Sequence, residues 1–474
     1  MADPNLFDFY NNNPVGVVDQ NIWDDKIPEV VMNFQAGPTI YTPLVKWVNR
    51  SQVTGAPISE WTELLEGDVD NDEIAITAQY IPEPAGVDSR SRKLSAKRYG
   101  DKVQLSESSN IYQMWKMSGG RDWRPLLKGI LGNNVRRKIE VLSRNAYLGG
   151  PKTFWTYGGS AVDFSGLNSS SKFGLGIVNA WNLRLGNLGE PIIPGTAASA
   201  KLVIVPPGVI YDFQESLAGA ATNEGQMWRD AALYQGKLNY EIGTYKNIRF
   251  VEVPNDTYGQ NSAILYNCGP ILEQAEISAP IARGAGAPNP EAVAVDDVWY
   301  IGQKAVAHYI QLANTTDMSN FEVNDMVTIH TLRTSDYGIA NGVDPLSGKT
   351  ITRRVVLIDA GNFRLSFDRP VMYPYTTEVD DYNPGVYGYV TKGTHVAFNL
   401  VLGSAGGIMG NLNRPLKFYE PKPVDDFESV YRYVWDIVAG YNIWEPSLFE
   451  CHFTAVSVPK PGGIHLPPAA VVSS

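Results

Sequence analysis

The stretch GVDPLSGKT (342–350) ends in a Gly-Lys-Thr that could cradle a phosphate. A phosphate loop needs four residues between its first glycine and the Gly-Lys pair, must follow a buried strand and must open a helix. Five residues lie between Gly342 and Gly348, and ITRRVVLID behind them reads as a strand, so the stretch is a hairpin turn. Asp68-Val69-Asp70-Asn71-Asp72 begins like a calcium loop, but Glu73 stands where glycine is required and Gln79 where a bidentate glutamate is. A solvated acidic turn is the better reading. Cys451 and His452 are adjacent, and neighbours on a strand point to opposite faces, so they cannot share a metal. His308, His330, His395 and His465 show no ligand spacing. Ser404 in GSAGG lacks the glycine two positions earlier that a nucleophile elbow needs. Asp425-Asp426 is one carboxylate pair among 50 acids. No catalytic residue, no cofactor, no metal site and no enzymatic activity are expected.

The cluster that asks for a partner is basic: Arg90, Arg92, Lys93, Lys97, Arg98 and Lys102. No aromatic platform interleaves with it, which argues against single-stranded nucleic acid. A net charge of −11 argues against a surface that grips nucleic acid all over. Two readings remain for the cluster, a solvated hairpin arm and a contact with the acidic surface of another copy. The six residues are therefore subunit-contact candidates.

The elements around them follow from composition and periodicity. At roughly 100–200 residues per domain, 474 residues make two to four units. Apolar residues are 44% and charged ones 19%, so a large core is feasible. Two cysteines give no disulfide framework and point to a reducing compartment. MADPNLFDFYNNNP has no signal-peptide pattern. No apolar run approaches the roughly 20 residues that span a bilayer.

Residues 1–60 read as an arm, with a short helix in NIWDDKIPEVVMNF and an extended PTIYTPLVKWV. IAITAQYI and SRKLSAKRYGDKVQLS read as the two oppositely charged arms of a hairpin over 61–105. Leu127, Leu131, Val135, Ile139, Leu142 and Ala146 are spaced 4, 4, 4, 3 and 4, which predicts a helix over 121–149 with one apolar stripe. KLVIVPPGVIYDF predicts a strand, a turn and a helix with Ile210, Phe213 and Leu217 on one face. GQMWRDAALYQG predicts a second short helix. Gly243 is expected to set a turn before the strand Ile248–Val253, which carries Arg249 and Glu252. Beyond the linker ARGAGAPNPEA, residues 300–398 read as pure β, a small barrel or sandwich. There FEVNDMVTIHT, RRVVLID, NFRLSFD and YGYVTKGTHVAF are strands, with Phe363, Leu365 and Phe367 alternating inward. SVYRYVWDIVAGYNIW is followed by the strand FECHFTAVSV, and the tail PKPGGIHLPPAA is expected to be irregular.

RYGDKVQLSES, LSRNAYLGG, KLVIVPPGVIYDF, GQMWRDAALYQGKLNYEIGTYKNIRFVEVPN, AFNLVLGSAGGI and DDFESVYRYVWDIVAGYNIWEPSLFECHF carry a resemblance by their order and spacing. The chain resembles the major capsid proteins of tailed bacteriophages with the Hong Kong 97-type fold, in the branch named after the major coat protein of coliphage N-four. The resemblance covers about 60% of the chain. It implies an α+β fold with an N-terminal arm (1–60), an E-loop (61–105) and a peripheral domain (106–199) with its spine helix at 121–149. It further implies a first part of the axial domain (200–299), an inserted all-β domain (300–398), an axial and peripheral return (399–460) and a C-terminal tail (461–474). The implied function is self-assembly into an icosahedral head shell around double-stranded DNA. Implied partners are other copies in hexamers and pentamers, portal, scaffolding and decoration proteins, and packaged DNA held without sequence specificity; no membrane is implied. The implied place is the virion capsid, assembled in the host bacterial cytoplasm. An encapsulin-type compartment shares that fold and is the alternative, and a carbohydrate-active all-β enzyme is the alternative of another class.

Overall fold

The computed structural model of the chain describes residues 39–47, 58–64, 89–106, 123–150, 153, 155–187, 201–219, 229–230, 240–245, 248–253, 263–277, 298–301, 304–312, 318–330, 350–372, 388–402, 407–423, 430–443, 448–460 and 463–467. Strands are numbered β1–β23 and helices α1–α3 in chain order.

The body is built on a mixed sheet. Its central strands are β6 (Lys201–Val205), β18 (Val396–Leu402) and β21 (Phe449–Ala455), with β5 (Trp155–Tyr157) at one edge. On the other side follow β9 (Ile248–Glu252), β8 (Glu241–Tyr245) and β7 (Arg229–Asp230), while β10 (Ile264–Leu265) pairs β18 separately. Every residue of β18 and β21 is buried, as a strand covered on both faces requires. One face carries Phe398, Leu400, Cys451 and Phe453. The other packs Val203, Val205 and Val401 under α2 (Leu175–Asn187) and α3 (Pro207–Gly219). Ile210, Phe213 and Leu217 of α3 are buried together, as their spacing predicts. Cys451 and His452 do take opposite faces: the thiol lies against the Tyr147 carbonyl, and the imidazole meets the edge of Trp181.

Two local expectations fail in this sheet. Arg229–Asp230 is a strand rather than part of a helix, because it pairs with Gly243 and Thr244 of β8. Gly243 is a strand residue beside a register shift, a use of glycine common at bulges, and not a turn. Arg249 finds its carboxylate in Glu241 of the neighbouring strand, not in Glu252. Its Nε and Nη2 meet the two Glu241 oxygens at 2.7 and 2.5 Å, both groups buried.

A second sheet runs β1 (Lys46–Trp47), β19 (Ile408–Pro423), β20 (Val430–Ile443) and β4 (Lys97–Ser106). The helix α1 (Trp123–Leu148) lies across both sheets. At 1.5 Å per residue it is about 39 Å long. Leu131 and Val135 pack on Trp435 and Ile437 of β20, and Tyr147 and Leu148 join the core of the main sheet. The stripe changes character halfway: Glu140, Ser143 and Arg144 are buried where Leu142 is only half-buried.

The third unit is a small antiparallel barrel, β11 (Ile271–Glu276), β17 (Tyr389–Gly393), β14 (Met326–His330), β15 (Ile351–Asp359), β16 (Arg364–Met372) and β13 (Lys304–Gln311), with β12 (Val298–Ile301) added to β13. A bridge between Ile277 and Leu312 brings β11 back to β13. Val327, Ile329, Val355, Leu365, Phe367 and Val390 fill the interior. Phe363 does not belong to the inward series; it sits in the turn at φ 56°. The sheet spans 271–393, whereas the sequence pattern suggested 300–398. YGYVTKGTHVAF reads as one strand but is two, cut at Thr394-His395 between barrel and body. The tail, expected to be irregular, holds a small hairpin, β22 (Val458–Lys460) with β23 (Gly463–His465), which pairs Val458 with His465 and Lys460 with Gly463. GVDPLSGKT before Thr350, Asp68–Asp72 and Asp425-Asp426 lie outside the described residues. Among the described residues no helix is long and apolar enough to cross a membrane.

Both thiols are buried, Cys268 and Cys451 alike, and burial pushes the Cys451 thiol up from its ordinary value. A thiol reagent at pH 8 should label neither in the native chain and both after unfolding in guanidinium. Rapid labelling of native protein would contradict this packing.

Candidate assembly elements

The root of the N-terminal segment is held by one side chain. Glu140 is the only acid in α1 and is 3% exposed. Its Oε1 accepts the N–H groups of Ile40 and Tyr41 at 2.5 and 2.6 Å. Its Oε2 accepts the Thr42 N–H at 3.0 Å and the Thr42 hydroxyl at 2.5 Å. Three consecutive amides thus converge on one carboxylate just as the chain enters a single turn of 3-10 helix, Thr42–Leu44. Amides at the start of a helical turn have no partner within it, and an anion there answers them. Around the carboxylate, Tyr41 stacks toward Phe398, the Tyr147 hydroxyl donates to the Leu44 carbonyl at 3.3 Å, and Trp47 packs edge-on against Tyr441. Burial lowers the Arg144 guanidinium from its ordinary value and raises the Tyr41 and Tyr147 phenols, and it pushes Tyr441 up to about 12. Periodicity missed Glu140 as a functional position. Its signal was a lone acid between Ile139 and Val141 on the apolar stripe.

The basic cluster is split between two strands. Arg90, Arg92 and Lys93 lie on β3 (Ser89–Ser95), and Lys97, Arg98 and Lys102 on β4, with Ala96 between. β3 pairs with β2 (Ile58–Leu64), so ISEWTEL is the described partner of the basic arm, and IAITAQYI lies outside the described residues. The register sets Glu60 opposite Lys93, Glu63 opposite Arg90, and Trp61 opposite Arg92. β4 pairs with β20, which puts Lys97 opposite Ala439 and Lys102 opposite Val434. Arg98 reaches diagonally to Asp436, a carboxylate 3% exposed, and its Nη2 meets Oδ2. Both Lys97 and Arg98 are exposed, but Arg98 is engaged within its own chain.

A further buried acid ties distant segments together. Asp212 of α3 accepts the Ser457 N–H at 3.1 Å and hydroxyl at 2.7 Å, and pairs with Lys172 at 3.0 Å. Thr156, Glu450 and His452 share hydrogen bonds at the β5–β21 edge. Among the described residues no three His, Cys, Asp or Glu gather as a metal site.

No protein-family model matches the chain. No curated protein matches it either. Among solved structures it is similar to the capsid of Ralstonia phage GP4, at 9% identity and a TM-score of 0.46 over 90% of each chain. It is similar to the capsid of cyanophage P-SCSP1u at 10% identity and 0.42, again over 90% of each chain. It is similar to the acid-stable capsid of Helicobacter pylori bacteriophage KHP30 at 7% identity and 0.42, over 89% of this chain and 90% of that one.

Glu140→Ala strands two buried amides and a part-buried one and should lower subunit stability by about 2–3 kcal/mol, the range for unsatisfied buried groups. Glu140→Gln keeps one acceptor oxygen and turns a donor toward the amides, so it should fall between. Hydrogen exchange at residues 40–42 should accelerate in the same order; unchanged exchange in Glu140→Ala would show that apolar packing alone holds the root. The tyrosines give a pH window. A phenol pushed up by burial keeps its proton in the folded chain after the unfolded chain has lost it. Stability is therefore intact below pH 10 and falls as pH rises from 10 toward about 12. The thermal midpoint should drop across that window, and a flat profile would contradict the buried phenols.

Proposed function

We propose that the chain is a coat protein that assembles a closed shell, the major capsid protein of a tailed bacteriophage, enclosing double-stranded DNA in an icosahedral head. The observation that carries this reading is the ribbon β2–β3. A two-stranded ribbon is marginally stable in water. Among the described residues no third strand joins this one, and it begins where β4 stops pairing with β20. Such a ribbon is stabilised by lying on another surface, and a second copy of the chain is the surface always at hand. The docked root at 40–42 supports the same reading, since an N-terminal arm needs a fixed attachment on its own subunit.

In this reading the ribbon is the base of the E-loop and α1 is the spine helix. The β1–β19–β20–β4 sheet with α1 is the peripheral domain, and the main sheet with α2 and α3 is the axial domain. The barrel is an inserted domain on the outer face. Copies contact copies in hexamers and pentamers, with portal, scaffolding and decoration proteins at the shell and DNA against its inner face. Of the two cluster residues whose side chains are described, Lys97 is the better candidate for contact between copies, because Arg98 already answers Asp436.

Electron micrographs of the purified full chain should show closed icosahedral shells. Replacing residues 58–95 by a short Gly/Ser linker should leave a folded subunit that closes none. Shells of ordinary size from that variant would remove the ribbon from the argument, and a full chain that stays monomeric under all assembly conditions would overturn the reading itself.

A further inference from the structure

The barrel joins the body through two antiparallel segments, one running from β10 into β11 and one from β17 into β18. They are stitched by the Gly269 N–H to the Thr394 carbonyl at 3.0 Å and the Thr394 N–H to the Pro270 carbonyl at 2.9 Å. A Cβ on Gly269 would lie 2.9 Å from both Thr394 Cβ and its carbonyl oxygen, so the two segments approach as closely as glycine allows. Two paired strands twist easily. Something else must set the angle at which the barrel stands.

We propose that Asn267 is the positioning residue that fixes the barrel's orientation on the body. It lies on the body side of the neck, fully buried, with its backbone in the left-handed region at φ 58°. From there its side chain crosses to two different barrel strands. Its Nδ2 donates to the Met326 carbonyl at 3.1 Å and to Thr328 Oγ1 at 2.9 Å, both on β14. Its Oδ1 accepts the Gly393 N–H at 3.0 Å, at the end of β17. Its own N–H donates to His395 Nδ1 at 3.3 Å, at the neck's return to the body. The Thr328 hydroxyl extends the seam to the Tyr266 carbonyl at 3.4 Å and to Thr352 Oγ1 at 3.1 Å. Three bonds from one planar amide to two strands remove rotation as well as translation, which a single contact cannot do. The left-handed backbone matters too, because asparagine adopts it more readily than other non-glycine residues.

The neighbouring contacts are of a different kind. Met326 lays its side chain against the body core, and a cavity of about 40 Å³ beside the neck is walled by Lys392, Asp325, Thr394 and His395. An apolar contact beside a cavity holds two bodies together without prescribing an angle. The Lys392–Asp325 pair, at 2.6 Å, joins two barrel residues to each other.

The inference stands whether or not the chain builds shells, and its test uses the full-length subunit. Asn267→Gly keeps the left-handed backbone free of strain and deletes the three side-chain bonds. Amide exchange at Gly393 should accelerate at least about tenfold, and small-angle scattering should report a wider spread of barrel positions. Exchange in β18 and β21 should not change. Met326→Ala should loosen the contact without the Gly393 signature. Should Asn267→Gly fail to fold, Thr328→Val removes one of the same bonds and should show the same pattern at smaller amplitude. Wild-type scattering and wild-type exchange at Gly393 in Asn267→Gly, or in Thr328→Val if that is the variant that folds, would assign the orientation to the neck strands and overturn the proposal.

Discussion

A carboxylate inside a protein is tolerable only where something answers its charge. Glu140 is answered by three successive backbone amides and a hydroxyl, all from residues 40–42. That single interaction decides several others. It brings Ile40, Tyr41 and Val45 into the core of the main sheet, and it sets Trp47 where β1 can pair with β19. It also explains why the buried face of α1 turns polar at mid-length. An apolar residue at 140 would pack, but it would leave the buried Ile40 and Tyr41 amides with no acceptor.

α1 can therefore serve two sheets at once. Its first half offers Leu131 and Val135 to β20, and its last turn offers Tyr147 and Leu148 to the main sheet. Between them stand Glu140, Ser143 and Arg144. A helix with one continuous apolar stripe would sit on one sheet. In that polar interval the bonds of Glu140 to the passing segment and of Ser143 to Tyr441 of β20 stand in for apolar packing between the two sheets.

Much of this was legible in the sequence, and the failures share a cause. The 3.6-residue period located α1 within two residues at each end, and alternation located β15 and β16. Ile210, Phe213 and Leu217 gave the buried face of α3 correctly. Periodicity reports which side of an element is wet; it does not report which neighbour the dry side meets. Residues 387–398 therefore read as one strand although Thr394-His395 hands the chain from barrel to body. The described partner of the basic arm, 58–64, does not stand out for the same reason, since 58–64 and 74–81 have comparable strand patterns. Arg98 read as free because Asp436 lies hundreds of residues away in sequence. Glu140 and Asn267 were invisible as anchors because one polar residue in an apolar context looks like noise until its partners are known.

The anchors share a form. Glu140 joins the N-terminal root to α1, Asn267 joins the barrel to the body, and Asp212 joins α3 to Ser457 behind β21. Each is a buried polar side chain that receives a backbone N–H from a distant segment. The apolar clusters supply most of the stabilisation, since burial scales with area. Area is indifferent to angle, and hydrogen bonds are not. Angle is what a wall-building subunit would have to control. A helix about 39 Å long turned by about 5° at one end moves its other end by about 3 Å, enough to spoil a packed contact. Directional bonds at the joints and undirected packing within the layers would divide the work accordingly: the cores keep each unit folded, and a few buried amides and carboxylates set how the units face one another.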